Sequence, residues 1–165
     1  MADPKHDARD EKAVRVSILT VSDTRTREND LGGDEVQRLL LAGGHRVGSR
    51  SIVRDHRGDT RRALTWLASE GVDAVITTGG TGISPRDVTY EVVAELVEKR
   101  LDGFGEAFRR LSWDQIGARS ILSRAIAGAI GSTLVFALPG SPRAVTLAME
   151  AIIVPVLGHA AGLMR

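Results

Sequence analysis

VDAVITTGGTGISPRD, Val72 to Asp87, decides how this chain folds. Val72 to Thr78 is mostly apolar and β-branched, which suits a central parallel strand. A turn with three glycines follows at once, at Gly79, Gly80 and Gly82. From about Pro85 to Lys99 the residues Val88, Val92, Val93, Leu96 and Val97 recur at helical spacing. Strand, glycine turn and helix in succession are the unit of an α/β protein with a parallel sheet.

The turn is also the first candidate site. Glycines let a backbone bend sharply and approach a ligand without Cβ clashes. Thr77, Thr78, Thr81 and Ser84 add hydroxyl groups. The N–H groups of a helix N-terminus just beyond would favour an anion, phosphate first. An ordinary α/β turn also carries glycines, but three glycines with four hydroxyls favour anion binding. A P-loop is excluded, because no Lys follows in the pattern GxxxxGK[ST]. A dinucleotide fingerprint is excluded too. Pro85 stands where its third glycine would be, and that fingerprint belongs to the first strand, not the third.

Upstream, VRVSILTV (Val14 to Val21) reads as a strand running into the polar loop SDTRTREND. A helix is expected from Asp34 to Leu41, with Val36, Leu39 and Leu40 inward and Gly43-Gly44 at its end. A second strand covers roughly Arg46 to Val53. A helix from about Asp59 to Ser69 turns Ala63, Leu64, Leu67 and Ala68 inward, with Trp66 at the edge. Downstream, residues 101–130 predict two short helices anchored by Phe104, Phe108, Leu111 and Trp113. Thr133 to Leu138 is the last strand. PGSPRAV opens a final helix that Pro155 should kink or end. The alternation predicts a three-layer, doubly wound, mostly parallel α/β sheet. Ligands bind such sheets beyond the carboxyl ends of the strands. Function is therefore expected in SDTRTREND, VRDHRGD, TTGGTGISPRD and LPGSP.

The length of 165 residues fits one domain, expected over residues 14–165. Residues 1–13 carry three basic and four acidic side chains and almost nothing apolar, which predicts a disordered tail. A net charge of +1 argues against a protein that coats nucleic acid. The absence of cysteine excludes disulfides, thiolate metal sites and cysteine nucleophiles. No apolar run nears the ~20 residues of a membrane span, and MADPKHDARDEK is no secretory signal. A cytoplasmic protein without nucleic-acid or membrane partners is expected.

The carboxylates carry two readings each. Asp87 lies three residues after Ser84, with Pro85 between. It either caps a helix or ligates magnesium beside a phosphate. Asp55 either balances Arg54 and Arg57 or acts in catalysis. Residues 45–62 hold six arginines and two aspartates, which either attract a polyanion or form a solvated helix face. His6, His45, His56 and His159 are too scattered for a metal site. Ser141 and Pro142 suit a helix start, and the same N–H groups with Gly140 and the Ser141 hydroxyl suit a second oxyanion cradle.

TVSDTRT (Thr20 to Thr26), DLGG (Asp30 to Gly33), TTGGTGISPRDVT (Thr77 to Thr89), LSR (Leu122 to Arg124) and LPGSPRAV (Leu138 to Val145) together resemble the molybdenum cofactor biosynthesis family. This is the group of MoaB, MogA and the G domains of plant and animal homologues. Asp102 to Gly117 resembles its MoaB branch. The resemblance implies a molybdopterin-binding fold, assembled as a homotrimer or hexamer, with other proteins of the pathway as possible partners. It implies transfer of AMP from Mg-ATP to the terminal phosphate of molybdopterin, with release of pyrophosphate. Asp55 and Asp87 match the two acidic residues linked with activity, and the magnesium ligands are expected there. Thr78, Gly79, Gly80, Thr81 and Gly82 fall in the substrate-binding turn. Ser123, Gly140 and Ser141 match positions near the pterin, and Ser22, Asp23 and Asp30 fall in the first loop. The alternatives are a molybdopterin carrier that does not adenylylate, and an unrelated nucleotide- or anion-binding module.

Overall fold

The computed structural model describes residues 12–165. Most of the predicted tail, residues 1–11, lies outside the described residues. Six strands form one sheet: β1 (Arg15–Val21), β2 (Arg46–Val53), β3 (Ala74–Thr78), β4 (Lys99–Arg100), β5 (Ile126–Ile130) and β6 (Thr133–Leu138), in the order β2-β1-β3-β6-β5-β4. The pairs β1/β2, β1/β3 and β3/β6 are parallel, whereas β4/β5 and β5/β6 are antiparallel.

Side chains alternate across the sheet, so both faces need cover. Val16, Ile18, Ile76, Leu134 and Phe136 face one cluster, closed by α1 (Leu31–Ala42), α4 (Asp102–Ile116), α5 (Pro142–Ala148) and α6 (Val154–Leu163). Leu19, Val21, Val75 and Val135 face the other, closed by α2 (Arg57–Ser69) and α3 (Thr89–Leu96). This is the expected three-layer, doubly wound arrangement. The chain passes from β1 outward to β2, then returns to the other side of β1 as β3. The order reverses between β1 and β3, and such a switch point opens a crevice at the strands' carboxyl ends.

Four local expectations need correction. The helix after the glycine turn begins at Thr89, not at Pro85. Residues 101–130 hold one long helix, a 3₁₀ segment (Gly117–Leu122) and β5, not two short helices. Phe104 and Phe108 are buried as expected, and Phe104 meets Phe136 edge-on at 5.4 Å between ring centroids. Trp113, however, is 54% exposed. Pro155 does not end the last helix. A π turn (Met149–Ile153) precedes it, so the proline falls in the first turn of α6, where a missing N–H is tolerated.

The last correction concerns length. Residues 142–163 form one helix of 22 residues with mean hydropathy 1.7, long and apolar enough to cross a membrane. Arg143 and Glu150 interrupt the apolar run in the sequence. Val145, Ala148, Met149, Ile153, Leu157 and Ala161 of this helix are buried against the sheet, as in the core helix of a globular domain.

Candidate functional site

Four loops meet at the carboxyl edge because β1, β2, β3 and β6 all run the same way. Their glycines let backbones touch. Gly79 has φ +91°, donates its N–H to Leu138 O at 2.9 Å, and leaves room where a Cβ would lie 2.3 Å from Val21 O. Any side chain there would break the β1–β3 junction. A Cβ at Gly32 would lie 2.8 Å from Gly140 O, and one at Gly140 would lie 3.4 Å from Gly79 Cα. DLGG, LPGSP and GGTG therefore pack backbone to backbone.

Beneath the turn runs a buried polar chain. Thr78 Oγ1 lies 3.4 Å from Thr20 Oγ1, which donates to Asp30 Oδ2 at 2.7 Å. Asp30 Oδ1 accepts from the Gly33 N–H at 3.1 Å, capping α1, and Oδ2 accepts from Arg50 Nη2 at 2.9 Å. Burial alone would raise the pKa of Asp30. The hydrogen bonds from Thr20, Arg50 and Gly33 outweigh it and hold the carboxyl below its ordinary range. Thr78, Thr81 and Asp30 are all buried, so they support the turn from below. Thr77 Oγ1 is buried without a partner.

The upper surface carries the other carboxylates. Asp87 Oδ2 accepts the Ser84 N–H at 2.9 Å, and the Asp87 N–H donates to Ser84 O at 2.9 Å. Asp87 thus closes a turn spanning residues 84–87 and caps no helix. The helix comes back to the glycines all the same, because the Thr89 N–H donates to Gly80 O at 3.0 Å. Asp55 follows β2, and its backbone N–H donates to Asp23 Oδ1 at 3.1 Å. Asp55 Oδ1 and Thr89 Oγ1 are buried without partners. Both face Gly80, whose Cβ would stand 3.2 Å from the first and 2.3 Å from the second. Asp87 Oδ2 would lie 2.7 Å from a Cβ on Gly82. Burial raises the pKa of Asp55, and the charges of Asp87 and Asp23 raise it further. Asp23 also pairs with Arg86. Ser22 Oγ accepts from the N–H groups of Thr24 and Arg25 at 3.2 and 3.1 Å and shapes the first loop.

A carboxylate with an orphaned oxygen and two acidic neighbours suits a cation. Among the described residues no group of three or more His, Cys, Asp or Glu forms a metal cage. Magnesium held partly by substrate phosphates and water needs only one or two carboxylates, so Asp55 and Asp87 fit that use.

Ser123 and Ser141 come together. They line one cleft of about 190 Å³ with Phe108, Ile116, Pro139 and Leu147. Ser123 Oγ is buried without a partner. Ser141 Oγ accepts from the Ala144 N–H at 3.3 Å and caps α5. The arginine-rich stretch is mostly a paired surface. Arg54 and Arg62 meet Asp59, while Arg57 and Arg61 meet Glu95. Arg50 is the exception, with its side chain only 6% exposed.

The model of the "Probable molybdopterin binding domain" family matches residues 17–159. The chain belongs to this molybdenum cofactor biosynthesis family, the MoaB/MogA group, on its MoaB side. It is 47% identical to Molybdenum cofactor biosynthesis protein B of Bacillus cereus over 161 residues, 96% of this chain and 95% of that relative. A crystal structure of a Molybdenum cofactor biosynthesis protein B superposes with a TM-score of 0.90 at 47% identity, covering 93% of this chain and 97% of the other. The crystal structure of tungsten cofactor synthesizing protein MoaB from Pyrococcus furiosus gives 0.83 at 34% identity, covering 93% and 98%. The MoaB/MogA chain described here shares its fold over nearly its whole length with both.

Proposed function

We propose that this protein acts in molybdenum cofactor biosynthesis in the cytoplasm, binding molybdopterin and transferring AMP from Mg-ATP to its terminal phosphate. An oxygen of that phosphate attacks the α-phosphorus of ATP. The bond from the α-phosphorus to its bridging oxygen breaks, and pyrophosphate leaves with the electron pair. The observation that carries the proposal is the orphaned Asp55 Oδ1 facing Gly80, with Asp87 tucked against Gly82.

The attacking group needs no general base, since a phosphate monoester with its second pKa near 6 is already anionic at neutral pH. What the site must supply is alignment and charge balance. The glycine turn holds one reactant by its backbone. Ser123 and the apolar walls of its cleft suit a flat heterocycle, with Ser123 Oγ free to bond it. Asp55 and Asp87 would hold the magnesium that accompanies ATP; when bound, that ion neutralises triphosphate charge.

The test mixes purified protein, molybdopterin and Mg-ATP and follows pyrophosphate and adenylylated pterin by chromatography. Product above a protein-free control is expected. Bound molybdopterin without product would establish the carrier reading instead. Neither binding nor product would remove molybdopterin as the ligand.

Assembly belongs to the same proposal. Trp113, Ile116, Ile121 and Leu122 are 54%, 44%, 67% and 49% exposed within one short stretch. Apolar surface gathered in this way marks an interface. A trimer or hexamer would cover it, and light scattering is expected to give three or six times the 17.7 kDa chain mass. A monomer at micromolar concentration would refute this.

A further inference from the structure

The outer half of the glycine turn has little packing to hold it. Ile83 is 67% exposed, and Ser84, Pro85 and Arg86 are exposed as well. None of these side chains enters the core. A segment without apolar anchors opens readily unless polar contacts fix it. Three such contacts are present, one of them the pairing of Arg86 with Asp23. A second is the turn that Asp87 closes. The third comes from Arg124, 42 residues away in sequence.

Arg124 Nε and Nη2 both donate to Gly82 O, at 2.9 and 2.6 Å. Its backbone N–H donates to Thr81 O at 3.1 Å. The far edge of the guanidinium pairs with Glu91 on α3, and its plane lies over the Tyr90 ring at 4.9 Å from the centroid. Every contact fixes orientation as well as distance. A trans peptide points its carbonyl and the next N–H in opposite directions. Holding the Gly82 carbonyl on Arg124 therefore sets the direction of the Ile83 N–H. Glu91 neutralises the guanidinium, so what Arg124 delivers to the turn is geometry.

We propose that Arg124 is a positioning residue, a strut between α3 and the glycine turn that presets the turn's backbone for phosphate chemistry; this rests on the adenylyltransferase reading. Lysine cannot replace it, because an ammonium lacks the planar fork that meets one carbonyl with two donors. The residue acts through Gly82 and touches no substrate.

The experiment compares wild type, Arg124→Lys, Arg124→Ala and Glu91→Gln in two readouts. The first is AMP transfer. Arg124→Lys is expected to lower kcat about tenfold or more, with KM for ATP within about threefold, since a misplaced backbone costs alignment more than binding. Added guanidinium is expected to restore part of the activity of Arg124→Ala, which a general folding defect would not allow. The second readout, which needs no catalysis, is hydrogen exchange at the amides of Ser84 and residue 124, which are bonded to Asp87 Oδ2 and Thr81 O across the turn. Exchange is expected to quicken about tenfold in Arg124→Lys and less in Glu91→Gln, which loosens the strut from its far end. Unchanged exchange and unchanged kcat in Arg124→Lys would overturn the strut. If wild type transfers no AMP, the adenylyltransferase reading falls, and exchange alone still decides the strut. If Arg124→Lys does not fold, exchange in Glu91→Gln decides it, and no change there would overturn it.

Discussion

Asp87→Asn is expected to lower AMP transfer by about a hundredfold to a thousandfold, the range seen when one electrostatic group is removed from a preorganised site. Its melting temperature is expected to move by only about 1–2 °C, because the substitution is near isosteric and half-exposed. The asparagine side-chain oxygen can still accept the Ser84 N–H, so the turn spanning residues 84–87 survives. What is lost is a charge facing Asp55. Two consequences separate this from a fold defect. The specific activity of the folded fraction falls, and circular dichroism stays unchanged. Full specific activity in the folded fraction would mean that Asp87 only closes its turn. Asp55 adds a signature in pH. Its pKa lies above the ordinary carboxylate range, through burial and then through Asp87 and Asp23. Activity is therefore expected to fall on the acid side as Asp55 takes up its proton. In Asp87→Asn the residual activity should keep an acid limb, shifted to lower pH, because one of the charges that raised the Asp55 pKa is gone.

What the sequence made legible follows from how far each feature depends on distant residues. β1, β3 and β6 were readable because apolar and β-branched runs announce strands without help from neighbours, and β2 because Val47, Ile52 and Val53 lie between Gly43-Gly44 and a polar loop. β5 was not. Its residues are Ile-Ala-Gly-Ala-Ile, with little β propensity at its centre, and it is a strand because β6 pairs with it along all five residues while β4 covers its other edge. A Cβ at Gly128 would stand 2.5 Å from Lys99 O, so the small residue that hid the strand is the one its pairing requires. The start of α3 was misplaced for a related reason. Ser84, Pro85 and Asp87 carry the local signature of a helix start, and the Asp87–Ser84 N–H bond of that signature does form. The helix is delayed because Arg124 and the Thr89–Gly80 bond hold the turn open beyond it.

The site was legible in part. Glycines and carboxylates at strand ends can be counted along the chain. The contact of Gly32, Gly140 and Gly79 cannot, because those loops meet only once the sheet has ordered β1, β3 and β6 side by side. Arg50 and Arg124 were hidden in the same way. Among many arginines nothing local marks the one that will be buried. Conversely, Asp30 read as a site residue, whereas its bonds are spent inside the fold.

That difference gives the second large expectation: Asp30→Asn destabilises the protein by about 3 kcal/mol, the lower end of the range for breaking a buried ion pair. For a chain of this size that is a fall of about 6–12 °C in melting temperature. The Asp30 and Arg50 side chains are 3% and 6% exposed. Removing the carboxylate strands a guanidinium that water barely reaches. Asp34, half-exposed, still meets Arg50 Nη1 at 2.6 Å, which keeps the loss from reaching the upper end. Asparagine can still cap α1 through Gly33, so the effect reports the pair and not the cap. The double variant Asp30→Asn/Arg50→Met is expected to recover part of the loss, because it removes the stranded charge. Equal melting temperatures for wild type and Asp30→Asn would show that Asp34 and water suffice for Arg50. The pH dependence follows from the same bonds. Asp30 titrates below its unfolded value, and Glu35, held by Arg38 and the Thr146 hydroxyl, is lowered to about 2. A depressed carboxylate contributes stability above its unfolded pKa and loses it as pH falls through the folded one. Wild type should therefore weaken progressively below about pH 4.5, near the unfolded pKa of a glutamate. The acid limb of Asp30→Asn should be shallower, because one of the depressed carboxylates is gone.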